Sequence, residues 1–446
     1  MIYNKLIENV FLPIGDFINK SSYLKQLKYW REVDTLSERE LEDLQKKNLK
    51  NILEHTVNNV SKYKSIQLEG NDPYKWLESF PILTKNDIRT NADNLLSRKV
   101  TKTDLITYSS SGSSGIQSTV FMNKEEQSNI RAILSHWWEW SGYKLGNTVV
   151  QTGMSPNRGV LKTIKDGLFK TKYITAFSLT EEQLASLFKE INNTKNYYLA
   201  GYASSLNIIA EYALEHNYKV HFKGAISFGD KMFSHYKKNI EKAFTTKVYD
   251  TYGCNEGFLI ASEKDLEYKY IMTPHVYLEI LDDDNRPLQD GELGHVVVTR
   301  LDGYSMPLIR YKIGDLAIKL PKEKYPKNRE FKYPLLEKIV GRDTDVILLS
   351  QNKKLTVHSF TGIFEYVPEI KQFKVIQEKK GEINIEYIKD TGFNKGVLEN
   401  VTNELQKYIL DDDFKIHYTE VQFIAASKSG KPQIVESRLL KNNNIK

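Results

Sequence analysis

Between Thr148 and Tyr252 the chain alternates short β-rich runs with helix-period stretches. TVVQT (148–152), AISF (225–228) and KVYDTY (247–252) stand among helical patterns at about 180–192, 203–216 and 231–243. Strands that alternate with helices of this length imply a mainly parallel sheet with helices on its faces. Upstream, residues 37–62 carry Leu41, Leu44, Leu49, Ile52, Leu53 and Val57 at mostly three- and four-residue spacing, and Ser37 followed by Glu40 is a capping-box start. Another helical pattern covers about 123–140.

The pattern changes after about residue 270. VYLEIL (276–281), a DDDN turn and HVVVT (295–299) read as period-two strands, which suggests antiparallel pairing or a small barrel. A second change comes at GRDTD (341–345), after which INIEYI, a helix over 395–409 and FKIHY read as an α+β module. The expected fold is therefore α/β. A large N-terminal domain (1–342) has mainly parallel sheets flanked by helices and a small β-barrel-like part, and a small α+β C-terminal domain (343–446) follows.

Composition narrows the class of partner. At 446 residues the chain can bury a large core and a smaller second one. Lys+Arg of 63 against Asp+Glu of 57 leaves a net charge of +6, spread along the chain rather than gathered in a block, which argues against nucleic acid. The single cysteine, Cys254, excludes an intrachain disulfide and a cysteine-rich zinc cluster, and a reducing, cytoplasmic setting is expected. The apolar patches of IENVFLPIGDFI are interrupted by Glu8 and Asp16, so this segment reads as a helix packed on the core, with membrane-surface contact as the minor alternative.

Four stretches could carry chemistry. In SSSGSSGIQS (109–118), backbone N–H groups and serine hydroxyls could wrap phosphate oxygens, with Gly112 and Gly115 supplying freedom at φ. A Walker loop would end in Gly-Lys-Ser/Thr, whereas Ile116 and Gln117 follow Gly115, so the run alone reads as a linker. YDTYGCNEG (249–257) would place Tyr252 for base stacking and Glu256 for a metal ion, against the plain reading of a turn with a solvated glutamate. In MPLIRYKIGDLA (306–317), Asp315 could accept hydrogen bonds from vicinal hydroxyls or merely cap a turn. In KSGKPQI (428–434), Lys431 is a cation on a flexible tip, or one more solvated lysine. HWWEWSGY (136–143) could line an acyl pocket, but at helical spacing it reads as core; His136, His275 and Cys254 read as structural.

In order and content these stretches together resemble the adenylate-forming enzymes, in particular the phenylacetate-coenzyme A ligase branch and its capsular polysaccharide biosynthesis relatives. The resemblance runs from FLPIGDFI to Lys431. It implies that Ser111, Gly112, Ser113, Ser114 and Gly115 face ATP phosphates, with Ile116 where many members carry lysine. FGD, with Gly229 and Asp230, would border the adenine pocket. Tyr252 and Gly253 would lie against adenine, Asn255 near the α-phosphate where threonine is common, and Glu256 would bind Mg²⁺. Asp315 would hold the ribose and Arg342 the nucleotide, Thr344 or Asp345 would be the hinge of a mobile C-terminal domain, and Lys431 would reach the α-phosphate.

What the resemblance implies is an AMP-forming ligase that uses ATP and Mg²⁺ to activate a small carboxylic acid and passes the acyl group to an acceptor, coenzyme A or an amine. The missing loop lysine and Asn255 leave one competing reading, a catalytically silent scaffold that keeps the fold for binding.

Overall fold

Ser37 starts its helix as the sequence requires. Its side chain accepts from the Glu40 N–H while the Glu40 carboxylate accepts from the Ser37 N–H, and Glu38–Asn59 follows with Leu41, Leu49, Ile52 and Leu53 buried. The structure is a computed structural model that describes residues 2–109, 118–153, 159–176, 179–191, 197–340, 346–349, 354–364, 366–411, 413–424, 434–437 and 439. Residues 2–19 are helical, with a π turn at Ile7–Phe11. Ile7 and Leu12 pack inward as expected, but Ile2, Ile14, Phe17 and Ile18 stay exposed. No helix among the described residues is long and apolar enough to cross a membrane.

Strands β1 (Ile106–Ser109) and β2 (Thr119–Met122) form an antiparallel pair in which Ser109 faces Thr119. The serine–glycine run between them lies outside the described residues. Strands β3 (Thr148–Gly153), β4 (Thr171–Thr175), β5 (Tyr197–Tyr202) and β6 (Phe222–Phe228) then pair in parallel, in the order β6-β5-β3-β4. Helices Glu181–Ile191, Ala203–Glu215 and Ser234–Phe244 intervene in sequence, as the alternating pattern predicts. They bury Leu187, Phe188, Leu206, Ile209, Ile240 and Phe244 with Val150, Leu199 and Ala225 of the strands.

Strands β7 (Val248–Cys254), β8 (Phe258–Glu263), β9 (Lys269–Ile271), β10 (Val276–Leu281), β11 (Leu293–Arg300), β12 (Tyr311–Lys319) and β13 (Leu335–Val340) run in the order β10-β11-β12-β13-β9-β8-β7, with antiparallel neighbours. The expected barrel-like part is corrected here. β10 pairs with β11 alone, and no closed barrel forms among the described residues. Alternating apolar residues specify an antiparallel sheet with one buried face, a requirement that an open sheet meets as well as a closed one.

The end of the chain is α+β, as expected. β14 (Val346–Leu348) and β15 (Lys354–Thr356) form a hairpin. β16 (Ile370–Gln377), β17 (Glu382–Lys389), β18 (Lys415–Glu420) and β19 (Val435–Ser437) form a mixed sheet in the order β18-β17-β16-β19. Helix Lys395–Ile409 buries Val397, Val401, Leu405 and Ile409 in the same core. By internal packing the chain groups into two units, one of residues 1–110, 118–147 and 249–341, the other of 111–117, 148–248 and 342–446.

The aromatic run at 136–143 belongs to a core. Trp137 and Trp140 are buried, and the Trp140 ring lies 4.9 Å from Phe331 and 6.0 Å from Tyr270. His136 is buried with Nε2 3.0 Å from the Asp34 carboxylate, in keeping with a structural role.

Candidate active site

Strands β7 and β8 meet in a tight hairpin. Cys254 pairs with Phe258, and the Gly257 N–H donates to the Cys254 carbonyl at 3.1 Å. Gly257 has φ +91°, and a Cβ there would stand 2.5 Å from Met122 Cε and 2.9 Å from Arg300 Nη1. Both the left-handed backbone and the crowding demand glycine. Gly257→Ala is expected to lower stability by roughly 1–3 kcal/mol, read as a fall in the urea midpoint; an unchanged midpoint would contradict the strain.

This turn drives Glu256 inward rather than into solvent, where the plain reading of the sequence put it. Its side chain is 4% exposed. Oε1 accepts from Tyr311 Oη at 3.0 Å and Ser118 Oγ at 3.3 Å, and lies 3.6 Å from Lys85 Nζ. Burial alone would raise the carboxyl pKa, but Lys85 and the hydrogen bonds outweigh it, so Glu256 stays below the usual range and ionised. Cys254 feels the reverse: burial and the neighbouring Glu256 push its thiol well above the usual value, which makes it a poor nucleophile.

Lys85 arrives by backbone pairing. The Leu83 N–H donates to the Arg310 carbonyl and the Lys312 N–H to the Leu83 carbonyl, both at 2.9 Å, so Leu83 runs parallel beside Tyr311 at the start of β12. Two residues on, Thr84 and Asp87 close a capping box and Lys85–Leu95 begins.

The same strand serves a second contact. Gly314 has φ +91°, and the β11–β12 register slips between His295 and Val297, so β12 bulges just before Asp315. A bulge re-aims side chains. Asp315 Oδ2 accepts from Tyr252 Oη at 3.0 Å, and Tyr252 is buried in the core of its unit. Asp315 therefore sits within a strand and not at the cap of a turn.

Behind the hairpin lies a buried polar network. His275 Nδ1 is 2.5 Å from Asp302 Oδ2, and its Nε2 lies 3.2 Å from both the Leu259 N–H and the Gly257 carbonyl. Asp302 also accepts from Arg300 Nε at 2.8 Å and Asn129 Nδ2 at 2.6 Å. His275 is thus structural, as expected, and steadies the residues that follow Glu256. Burial would raise Asp302, yet His275 and Arg300 bring it down to about 2. Its folded value is depressed, so its contribution is present above the ordinary 3.8 and is lost as pH falls through about 2. Asp302→Asn is expected to cost on the order of 2 kcal/mol at neutral pH, with the gap to the parent closing toward pH 2 in denaturant titrations. A gap that is constant with pH would refute the linkage.

The structure thus joins Glu256 to Lys85, Ser118 and Tyr311, and joins Tyr252 to Asp315. Asn255 is exposed at the hairpin tip, and Gly253 sits where a Cβ would meet the Phe258 carbonyl oxygen at 2.4 Å. In the other unit, Gly229 (φ +86°) packs against the Tyr202 ring, and the Asp230 carboxylate accepts from the N–H groups of Ala203 and Ser204 at the start of their helix. Ser111, Gly112, Ser113, Ser114, Gly115, Arg342, Thr344, Asp345 and Lys431 lie outside the described residues. Sequence reasoning missed Lys85, Tyr311 and, as a site residue, Ser118. The available signals were a lysine at a helix start in LTKND and a tyrosine four residues before Asp315.

Among the described residues no group of three or more His, Cys, Asp or Glu could hold a metal ion. Glu256 is a lone ionised carboxylate, which suits Mg²⁺ that arrives with a nucleotide, because that ion takes few protein ligands and completes its shell with phosphates and water.

Residues 347–438 match the CapK C-terminal domain family. Over 453 aligned residues the chain is 24% identical to Protein CapK of Staphylococcus aureus, covering 96% of this chain and 97% of that protein. It is 25% identical to the phenylacetate-coenzyme A ligase of Escherichia coli (strain K12), covering 71% of this chain and 74% of that protein. Among solved structures, 2-hydroxyisobutyryl-CoA ligase with 2-HIB-AMP and CoA shares the fold, with a TM-score of 0.59 at 18% identity over 93% of each chain. The chain is thus similar along most of its length to CapK and to phenylacetate-coenzyme A ligases, carries a CapK C-terminal domain at residues 347–438, and has the fold of a solved acyl-CoA ligase.

Proposed function

We propose that the chain adenylates a carboxylic acid at the expense of ATP, releases pyrophosphate, and passes the acyl group to coenzyme A or an amine in surface polysaccharide biosynthesis. The observation that carries this reading is the ionised, buried Glu256 held by Lys85, Ser118 and Tyr311, with Tyr252 on β7, just before the Glu256 turn, paired to Asp315 on β12, the strand that carries Tyr311. The coenzyme A ligases among the relatives support a thioester product, and the polysaccharide branch of the resemblance supports an amide.

A carboxylate is a poor electrophile, so activation precedes transfer. One carboxylate oxygen attacks the α-phosphorus of ATP in line; the new O–P bond forms as the bond to the bridging oxygen breaks, and pyrophosphate leaves with that electron pair. The thiol or amine then attacks the acyl carbon, loses its proton, and AMP departs. Mg²⁺, when bound, neutralises phosphate charge, and Glu256 would hold it. On this reading Tyr252 and Gly253 lie against the adenine, Gly229 and Asp230 border its pocket, and Asp315 takes the ribose. Ser111, Gly112, Ser113, Ser114 and Gly115 cradle phosphates with Asn255 nearby, and Arg342 contacts the nucleotide. Residues 1–342 form the large domain, and 343–446 swing about Thr344 or Asp345 to bring Lys431 to the α-phosphate.

ATP–pyrophosphate exchange across a panel of carboxylic acids tests the reading, with acid-dependent exchange expected. Product mass with coenzyme A or amines then separates thioester from amide. ATP binding without exchange for any acid would favour the silent scaffold.

A further inference from the structure

Lys85 stands against the ordinary rules of helix charge. It is the first residue of Lys85–Leu95, the end where unpaired N–H groups already concentrate positive charge and a cation is disfavoured. It is also largely buried, with 17% of its side chain exposed, and its ammonium lies 3.6 Å from Glu256 Oε1. Desolvating both partners offsets much of what their attraction gains, so stability alone is a weak reason for the pair. A lysine at a helix start is, however, a good receptor for phosphate oxygens. The Glu256 oxygen, which also accepts from Ser118 and Tyr311, stands where a phosphate oxygen would be bound. Ser118 directly follows the serine–glycine run, which contains no lysine of its own.

We propose that Lys85 is a phosphate-binding residue: Glu256 holds it in the nucleotide-free protein, and the triphosphate of ATP takes it over, releasing the carboxylate for the metal ion. The proposal rests on the reading of this site as an ATP site. It supplies a cation from the same unit as Glu256, independent of Lys431, and it makes Glu256 a competitor of ATP for Lys85 when no metal is present.

Equilibrium binding of ATP and of adenosine, in EDTA and in Mg²⁺, tests it on the full chain. Lys85→Gln is expected to weaken metal-free ATP binding about tenfold or more while leaving adenosine unchanged, and Lys85→Arg to keep most of the affinity. Glu256→Gln is expected to strengthen metal-free ATP binding, because it frees Lys85. That gain should vanish in the Lys85→Gln/Glu256→Gln double variant, which also avoids leaving a buried carboxylate unpaired if Lys85→Gln alone fails to fold. ATP affinity within about twofold of the parent in Lys85→Gln, equal losses for ATP and adenosine, or weakening by both single variants would each overturn the proposal and leave a purely structural ion pair. A parent protein that binds adenosine and ATP in neither condition would overturn the ATP reading itself.

Discussion

Glu256→Gln is expected to lower ATP–pyrophosphate exchange by about 10²-fold or more, with some fall in the unfolding midpoint because the largely buried Lys85 loses its carboxylate. Glutamine keeps the shape of the side chain and can still accept from Tyr311 and Ser118, so the hairpin retains its internal contacts. What disappears is the negative charge that would hold Mg²⁺ against the phosphates. Raising Mg²⁺ should not restore the rate. Exchange within roughly threefold of the parent, measured on the folded variant, would remove Glu256 from the chemistry.

Lys431→Ala is the second large effect. Acyl-adenylate formation should fall by on the order of 10²-fold, as when a donor to a developing oxyanion is lost, with ATP binding still detectable. Transfer from a supplied acyl-adenylate to the acceptor should suffer much less, because the lysine is assigned to the first half-reaction. Comparing the two half-reactions in one variant separates a missing cation from a misfolded C-terminal segment. Near-parental exchange would sink the role given to Lys431.

Local patterns made much of this architecture readable. The capping box at Ser37, the parallel character of the sheet that holds β3 and β6, and the helix 395–409 each follow from spacing within a few turns of chain, whereas the strand order does not. Whether β10 to β13 close into a barrel depends on what lies beyond the edge of β10, and alternation along a strand carries no trace of that. The site divides the same way. Tyr252, Glu256 and Asp315 announce themselves because they sit in short polar stretches beside β-rich runs, and the structure brings Tyr252 and Asp315 into contact. Lys85 does not, because its meaning comes from a carboxylate far along the chain, and LTKND by itself is only a well-capped helix start.

Strand β12 acts as a gauge for the whole site. It presents Tyr311 to Glu256 and Asp315 to Tyr252, and it carries Leu83, and with it Lys85, on its flank. Any shift of β12 along its axis therefore displaces the Tyr252–Asp315 and Tyr311–Glu256 contacts by the same step. On the proposed reading, substitutions within the strand would change grip on the nucleoside and readiness of the carboxylate together. Independent adjustment is left to the β7–β8 hairpin on one side and the Leu83 segment on the other, so altered nucleotide selectivity with intact chemistry should be sought there and not in β12.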